Sequence, residues 1–278
     1  MPELPEIITI KKDLNKEILG KIITNLEFVA PYPLKQTTEY IVSNLVNQKI
    51  IKISNVAKLL TIHLQNTNLL AIHLNMSGRL LYNTTDPYIK IKLHLNTKDK
   101  LHFSSVRMFE TFKIMTPLEL DKYKKQYGKT IISKNLGADE FIEKMKKKNT
   151  YIKNNLLDQK LISGIGNIYA NDALYLSKIH PETKTNTISR KDYITLFNNL
   201  QMLINESILH RGSTIDRYTD IYGQPGSHQK YFRVYGKKNT ACSECGTKIS
   251  FKALQGRGTY YCGRCQPIDK NNQKTLFM

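Results

Sequence analysis

The residues with the clearest chemistry lie near the C-terminus. Cys242-x-x-Cys245 and Cys262-x-x-Cys265 hold all four cysteines of the chain. Two knuckles at this spacing can converge four thiolates on one zinc ion, and two disulfides or a redox pair are the other uses of the pattern. The start, Met-Pro-Glu-Leu-Pro-Glu, carries acids and prolines where a secretory signal has a basic then an apolar region. The cysteines are therefore expected in a reducing compartment, which together with the lack of a neighbouring βαβ pattern favours zinc. Four thiolates leave no open coordination position, so such a zinc is structural. Between the pairs, Ile249, Phe251, Tyr260 and Tyr261 suggest a β-hairpin with Gln255-Gly256-Arg257-Gly258-Thr259 at its tip. An arginine flanked by glycines can approach a phosphate closely, or it can be an exposed turn residue; spacing leaves both open.

A second candidate is Leu156-Leu157-Asp158-Gln159 followed by Ser163-Gly164-Ile165-Gly166-Asn167 and a helical pattern. Free N–H groups at that helix start, with the Asn167 amide, could hold an anion; a plain helix–helix turn fits equally. A dinucleotide fingerprint is excluded, because no third glycine follows and no strand precedes. At the N-terminus, Pro2 and Glu3 read on their own as the start of a helix.

These residues need elements to hold them. Pro2, Pro5, Glu3 and Glu6 suit a first helical turn, and Ile7, Ile8, Ile10, Leu14 and Ile18 continue it. From about residue 21 to 115 the period is two: Ile51/Ile53, Leu60/Ile62/Leu64, Leu70/Ile72/Leu74 and Ile89/Ile91/Leu93/Leu95. Asn66-Thr67-Asn68 and Asn96-Thr97-Lys98-Asp99 separate such runs as hairpin turns. With no helix between them, the strands suggest an antiparallel sandwich. Thr116-Pro117 opens a Lys-rich stretch ending in Lys146-Lys147-Lys148, which places a domain boundary near residue 130. Helices follow at Ile168–Ser177 and Lys191–Leu209, then a long loop over 211–237.

The 278 residues are 40% hydrophobic, enough for packed cores, and Lys and Arg exceed Asp and Glu by 42 to 23, a formal charge of +19. That excess points to a polyanionic partner without separating DNA from RNA or anionic lipid. The apolar runs fall far short of the ~20 residues of a membrane span. The chain is expected to be cytoplasmic.

Six motifs occur in one order along the chain. They are Met-Pro-Glu-Leu-Pro-Glu, His73-Leu74-Asn75-Met76-Ser77-Gly78-Arg79, Asp158-Gln159 through Asn167-Ile168-Tyr169-Ala170, Ile179-His180-Pro181, Val234-Tyr235-Gly236, and the Arg257 hairpin between the two cysteine pairs. In that order the sequence resembles the formamidopyrimidine-DNA glycosylases over essentially its whole length. The resemblance implies an α+β protein. Residues 1–130 would form an N-terminal antiparallel β-sandwich with an N-terminal helix, 131–225 a helix–two-turns–helix domain with a lesion-capping loop, and 235–270 a β-hairpin zinc finger. Double-stranded DNA carrying oxidised purines or abasic sites would lie between the domains. A monomer associated with the nucleoid, with no membrane role, is expected.

The resemblance also implies the site. Pro2, once Met1 is removed, would be the nucleophile, with Glu3 beside it for proton transfer and Lys58 as the catalytic lysine. His73, Lys153, Asn167 and Arg257 would meet DNA near the lesion. Met76, Arg107 and Phe109 would fill the void, engage the orphaned base and wedge the opposite strand. Cys242, Cys245, Cys262 and Cys265 would hold one structural zinc. The activity implied is excision of 8-oxoguanine and formamidopyrimidines through a Schiff base, followed by β,δ-elimination in base excision repair. Ala57 and Asn75 stand where the family commonly has Gly, Ser105 where it has Asp, and Glu110 where it has Gly. The rivals are an endonuclease VIII-like enzyme for oxidised pyrimidines and a zinc-ribbon DNA-binding protein without catalysis. Leu4 and the Met76/Arg107/Phe109 set disfavour the first, and intact Pro2, Glu3 and Lys58 the second.

Overall fold

The computed structural model describes residues 2–268. Met1, whose removal the expected Pro2 nucleophile would require, and residues 269–270 of the expected zinc-finger span lie outside the described residues. The chain divides into two compact units: residues up to Gln126 with Ser207–Gln229, and Tyr127–Glu206 with the residues from Lys230 on.

In the first unit α1 (Leu4–Glu17) opens on a capping box. Glu3 is the N-cap, and its backbone N–H donates to the Glu6 carboxylate at 2.7 Å. Such a box satisfies helix-start N–H groups that would otherwise be orphaned. Ile7, Ile10 and Leu14 recur at helical spacing and are buried. The strands are β1 (Ile23–Phe28), β2 (Ile50–Val56), β3 (Leu59–Leu64), β4 (Leu69–His73), β5 (Arg79–Tyr82), β6 (Ile89–Leu95), β7 (Lys100–Ser104) and β8 (Thr111–Met115). They form two four-stranded antiparallel sheets, β1-β6-β7-β5 and β2-β3-β4-β8. Ile91 and Phe103 of one sheet, Ile62 and Ile72 of the other, and Ile10 of α1 share one core. This is the expected sandwich, and both expected hairpin turns join paired strands. Thr67 and Lys98 take left-handed φ angles there.

Two local readings need correction. The region read as strands alone contains a helix, α2 (Thr38–Leu45). The Thr37 hydroxyl accepts from the Tyr40 N–H at 3.2 Å, and Ile41 and Leu45, one turn apart, are buried. The segment is too short for its helical period to stand out. The Ile51/Ile53 alternation fails because the register of β2 shifts between Ile50 and Lys52. This bulge buries Ile50 and Ile53 and turns Ile51 outward. Sequence continuity grouped the segment after residue 207 with the helical domain, yet Tyr218 and Ile221 pack into the sandwich core.

The rest of the chain begins with α3 (Pro117–Lys124), capped by Thr116 and Glu119, at the end of the first unit. The second unit holds α4 (Ala138–Lys146), α5 (Ile152–Leu157), α6 (Asn167–Leu176) and most of α7 (Arg190–Leu209), then the hairpin of β9 (Ser250–Leu254) and β10 (Arg257–Tyr261). Among the described residues no helix is long and apolar enough to cross a membrane.

Candidate functional site

Strand register gathers the candidates of the first unit at one end of the β2-β3-β4-β8 sheet. Leu59 faces His73 and His73 faces Thr111, so Lys58, the 74–78 turn and the 105–110 turn leave the sheet side by side. Helix α1 runs along this sheet: Lys11 Nζ donates to the Asn55 side chain at 2.9 Å and the Asn15 amide reaches the Ile53 carbonyl. Towards its start α1 therefore runs in the direction of Ala57 and Lys58, and Pro2 and Glu3 at that start are both buried. His73 is held below its usual pKa, first by burial and then by the positive charge of Lys58. Its Nδ1 accepts the Asn75 N–H at 3.2 Å, which leaves Nε2 to carry the proton as a donor.

Met76 is 49% and Phe109 65% exposed, so these are not core side chains. The Arg107 guanidinium joins them, with Nη1 3.2 Å from the Met76 sulfur and Cζ 5.3 Å above the Phe109 ring. Ala57 and Asn75 have φ of 49° and 42°. Glycine is at ease in that left-handed region and asparagine tolerates it, so Asn75 is a mild departure and Ala57 a strained one. The Asn75 amide also donates to the Phe109 carbonyl, tying the two turns together.

A residue that sequence reasoning passed over lies beside Glu3. By residue type alone Glu6 is an acid suited to the helix dipole. Its carboxyl is buried and accepts the Glu3 N–H at 2.7 Å and the Ser213 N–H, also at 2.7 Å. Burial, then the charge of Glu3, raises its pKa to about 7. Ser213 is 207 positions away, beyond any local pattern. Its segment is fastened by Arg211, which pairs with Asp13 and Asp220, both at 2.6 Å. Glu6 favours folding most when neutral. Its contribution is complete below the unfolded value near 4.5 and is lost as pH rises through about 7. Relative to the native protein, Glu6→Gln should gain on the order of 2 kcal/mol between pH 5 and pH 8. Denaturant titrations of both proteins at both pH values measure this; an unchanged difference refutes it.

In the second unit the four cysteine sulfurs lie within 4.8 Å of one another, with Cys242–Cys265 at 3.8 Å and Cys245–Cys262 at 3.5 Å. Zinc–sulfur bonds of about 2.3 Å in a tetrahedron require sulfurs about 3.8 Å apart, so the set fits zinc. The Tyr175 hydroxyl, 3.1 Å from the Cys242 sulfur, can donate to it. The hairpin turns on Gln255 and Gly256, both at positive φ, a two-residue turn suited to strand twist. It is docked by buried polar groups. The Gly258 carbonyl accepts from Lys153 Nζ at 2.8 Å and from the Asn167 amide at 3.1 Å. Lys153 also reaches the Thr259 hydroxyl at 2.7 Å and Asn171 at 3.4 Å. Lys153 is 1% exposed, and its pKa falls to about 7 through burial and then the charge of Arg257. Its Nζ is held by the hairpin, and Lys153 and exposed Arg257 line one polar pocket of about 380 Å³. Gly166 is the N-cap of α6 and offers no side-chain cap to the helix start. The Gln159 side chain spans the preceding turn, accepting from the Gly164 N–H at 2.9 Å and donating to the Ile165 carbonyl at 2.8 Å.

Comparison with known proteins agrees along the chain. Residues 1–112 match the model of the formamidopyrimidine-DNA glycosylase N-terminal domain, 128–219 that of its H2TH domain, and 241–268 a zinc finger found in FPG and IleRS. A formamidopyrimidine-DNA glycosylase of Mycoplasma mobile is 34% identical over 97% of this chain and its own full length. That of Pelotomaculum thermopropionicum is 34% identical over 96% of this chain and its own full length. The chain belongs to the formamidopyrimidine-DNA glycosylase family.

Solved members of the family share its architecture. A Lactococcus lactis FPG variant in complex with Fapy-dG-containing DNA superposes with a TM-score of 0.88 at 31% identity, covering 96% of this chain and all of that one. The same organism's FPG with abasic-site DNA gives 0.87 at 30% identity and the same coverage. The family's zinc finger spans all four cysteines, so the cofactor of this glycosylase-family chain is one structural zinc.

Proposed function

We propose that this chain is a bifunctional DNA glycosylase and abasic-site lyase that excises oxidised purines, 8-oxoguanine and formamidopyrimidines among them, in base excision repair. The observation that carries this reading is the buried Pro2–Glu3–Glu6 cap of α1, whose start lies in the direction of the sheet end where Lys58 and the Met76, Arg107 and Phe109 side chains emerge. With Met1 removed, Pro2 is a secondary amine whose pKa near 8 leaves a usable neutral fraction at pH 7. Its nitrogen attacks the sugar C1′, the glycosidic bond breaks, and the base departs with the bonding pair and takes up a proton. The ring-opened iminium acidifies the 2′ position. Loss of that proton expels the 3′ phosphate, and a second elimination expels the 5′ phosphate. Glu3 moves protons at the sugar, and Glu6, which exchanges a proton near neutral pH, takes part in that relay.

Lys58 and the Nε2–H of His73 hold phosphates beside the lesion. Arg257 and the Asn167 side chain hold backbone phosphates, with Lys153 keeping the Arg257 hairpin in place. The loop over 211–227, anchored by Arg211, covers the extruded base. Extrusion is required because a stacked base cannot reach the amine.

Arg107 reads the base left behind. Cytosine presents adjacent acceptors, O2 and N3, which a guanidinium can satisfy together. Adenine sets a donor beside its N1 acceptor. A good bidentate contact discriminates by roughly 1–3 kcal/mol, equivalent to about 5- to 150-fold. Single-turnover excision of 8-oxoguanine should therefore be that much faster opposite cytosine than opposite adenine. Arg107→Ala should flatten the ratio by slowing the cytosine case. Equal native rates, or a ratio unchanged in the variant, would show that Arg107 does not read the orphaned base.

A further inference from the structure

Ser105 and Glu110, five positions apart, meet in the folded protein. The Glu110 carboxylate is buried against the 74–78 turn, where a Cβ built on Gly78 would fall 2.5 Å from Glu110 Cγ. Its Oε1 accepts from the Ser77 hydroxyl at 2.7 Å and the Ser77 N–H at 3.2 Å, and its Oε2 accepts from the Ser105 hydroxyl. Both serine hydroxyls donate to Glu110, which leaves their lone pairs turned outward. Each then accepts a backbone N–H of the exposed turn: Arg107 N–H to Ser77 at 3.0 Å and Met108 N–H to Ser105 at 2.9 Å. The turn needs this help, because Met108 has a φ of 57°, which an unbranched side chain rarely adopts. The Tyr32 hydroxyl fixes the backbone of Glu110 through its carbonyl at 2.7 Å.

We propose that Glu110 is a positioning residue for the extrusion step: through Ser77 and Ser105 it locks the turn carrying Met76 to the turn carrying Arg107 and Phe109, so that the three side chains enter a duplex as one preformed unit. A glycine at 110 would offer no acceptor to either serine. The inference rests on the glycosylase reading for its consequence in DNA, but its structural half belongs to the free protein and is tested there.

The test compares native protein with Glu110→Gly and Glu110→Gln. Trypsin cleavage between Arg107 and Met108, followed by mass spectrometry on the free protein, reports opening of the turn. Cleavage there should be about 10-fold faster in Glu110→Gly, with Glu110→Gln between, because the amide keeps an acceptor for one relay only. Single-turnover excision is then measured on a lesion opposite cytosine and on the same lesion opposite an abasic site, where no partner base remains to be held. Glu110→Gly should slow the first by about 10-fold and the second by less than about 2-fold. An unchanged cleavage rate, or equal slowing on both duplexes, would overturn the proposal. If the native protein excises from neither duplex, the glycosylase reading fails, while the trypsin result still decides whether Glu110 locks the turns.

Discussion

Glu3→Gln is expected to slow base excision by about 10²- to 10⁴-fold, the range of a lost general acid–base group. The substitution is chosen because it spares the fold. A glutamine oxygen can still accept at the helix start, so the capping box that opens α1 survives. DNA affinity should stay within about 3-fold, since no phosphate contact is assigned to Glu3. The same change removes a negative charge that helps to hold Glu6 near 7, so the titration of Glu6 should move down. Single-turnover excision, equilibrium binding and the pH profile separate these effects. Excision close to the native rate, or a parallel loss of binding, would remove Glu3 from the chemistry.

The second large effect concerns zinc. Cys262→Ser should abolish the stoichiometric zinc and weaken DNA binding by roughly 10- to 100-fold, because folding of such modules is driven by metal binding. The cause lies in the docking. When the hairpin releases, Arg257 loses its orientation, and Lys153 and Asn171 lose the Gly258 and Tyr260 backbone partners that compensate their burial. The sandwich unit does not depend on these groups and should keep its own unfolding transition. Arg257→Ala should keep the metal, weaken binding and lower the salt slope by about one unit. Metal analysis with titrations at several salt concentrations reads all three. Full affinity in zinc-free protein would refute this role.

What the sequence disclosed is what is written locally. Cys242 to Cys265 specify their ligand set by spacing, the Asn-Thr turns by residue type, and the sandwich by period-two runs. Resemblance supplied Pro2, Lys58 and Arg107, to which spacing alone assigns no role. What stayed hidden depends on partners distant in the chain. Glu6 becomes a near-neutral carboxyl only because Ser213 and the sandwich enclose it. That Lys153 holds the hairpin is invisible in the sequence, because its partner, the Gly258 carbonyl, lies 105 positions on. Glu110 has no role that residue type reveals, because Ser77, one of the two serines that donate to it, lies 33 positions away. The bulge that turns Ile51 outward leaves no mark in residue types.

The central claim, that the amine of Pro2 performs the chemistry, is met most directly by trapping. Borohydride added while the protein turns over a duplex with one 8-oxoguanine opposite cytosine should reduce the iminium to a stable amine. The expected result is a protein–DNA adduct whose modified peptide is the N-terminal one, with the sugar remnant on the nitrogen of Pro2. An adduct that maps to a lysine such as Lys58, or one that forms equally well when Met1 is retained, would contradict the account.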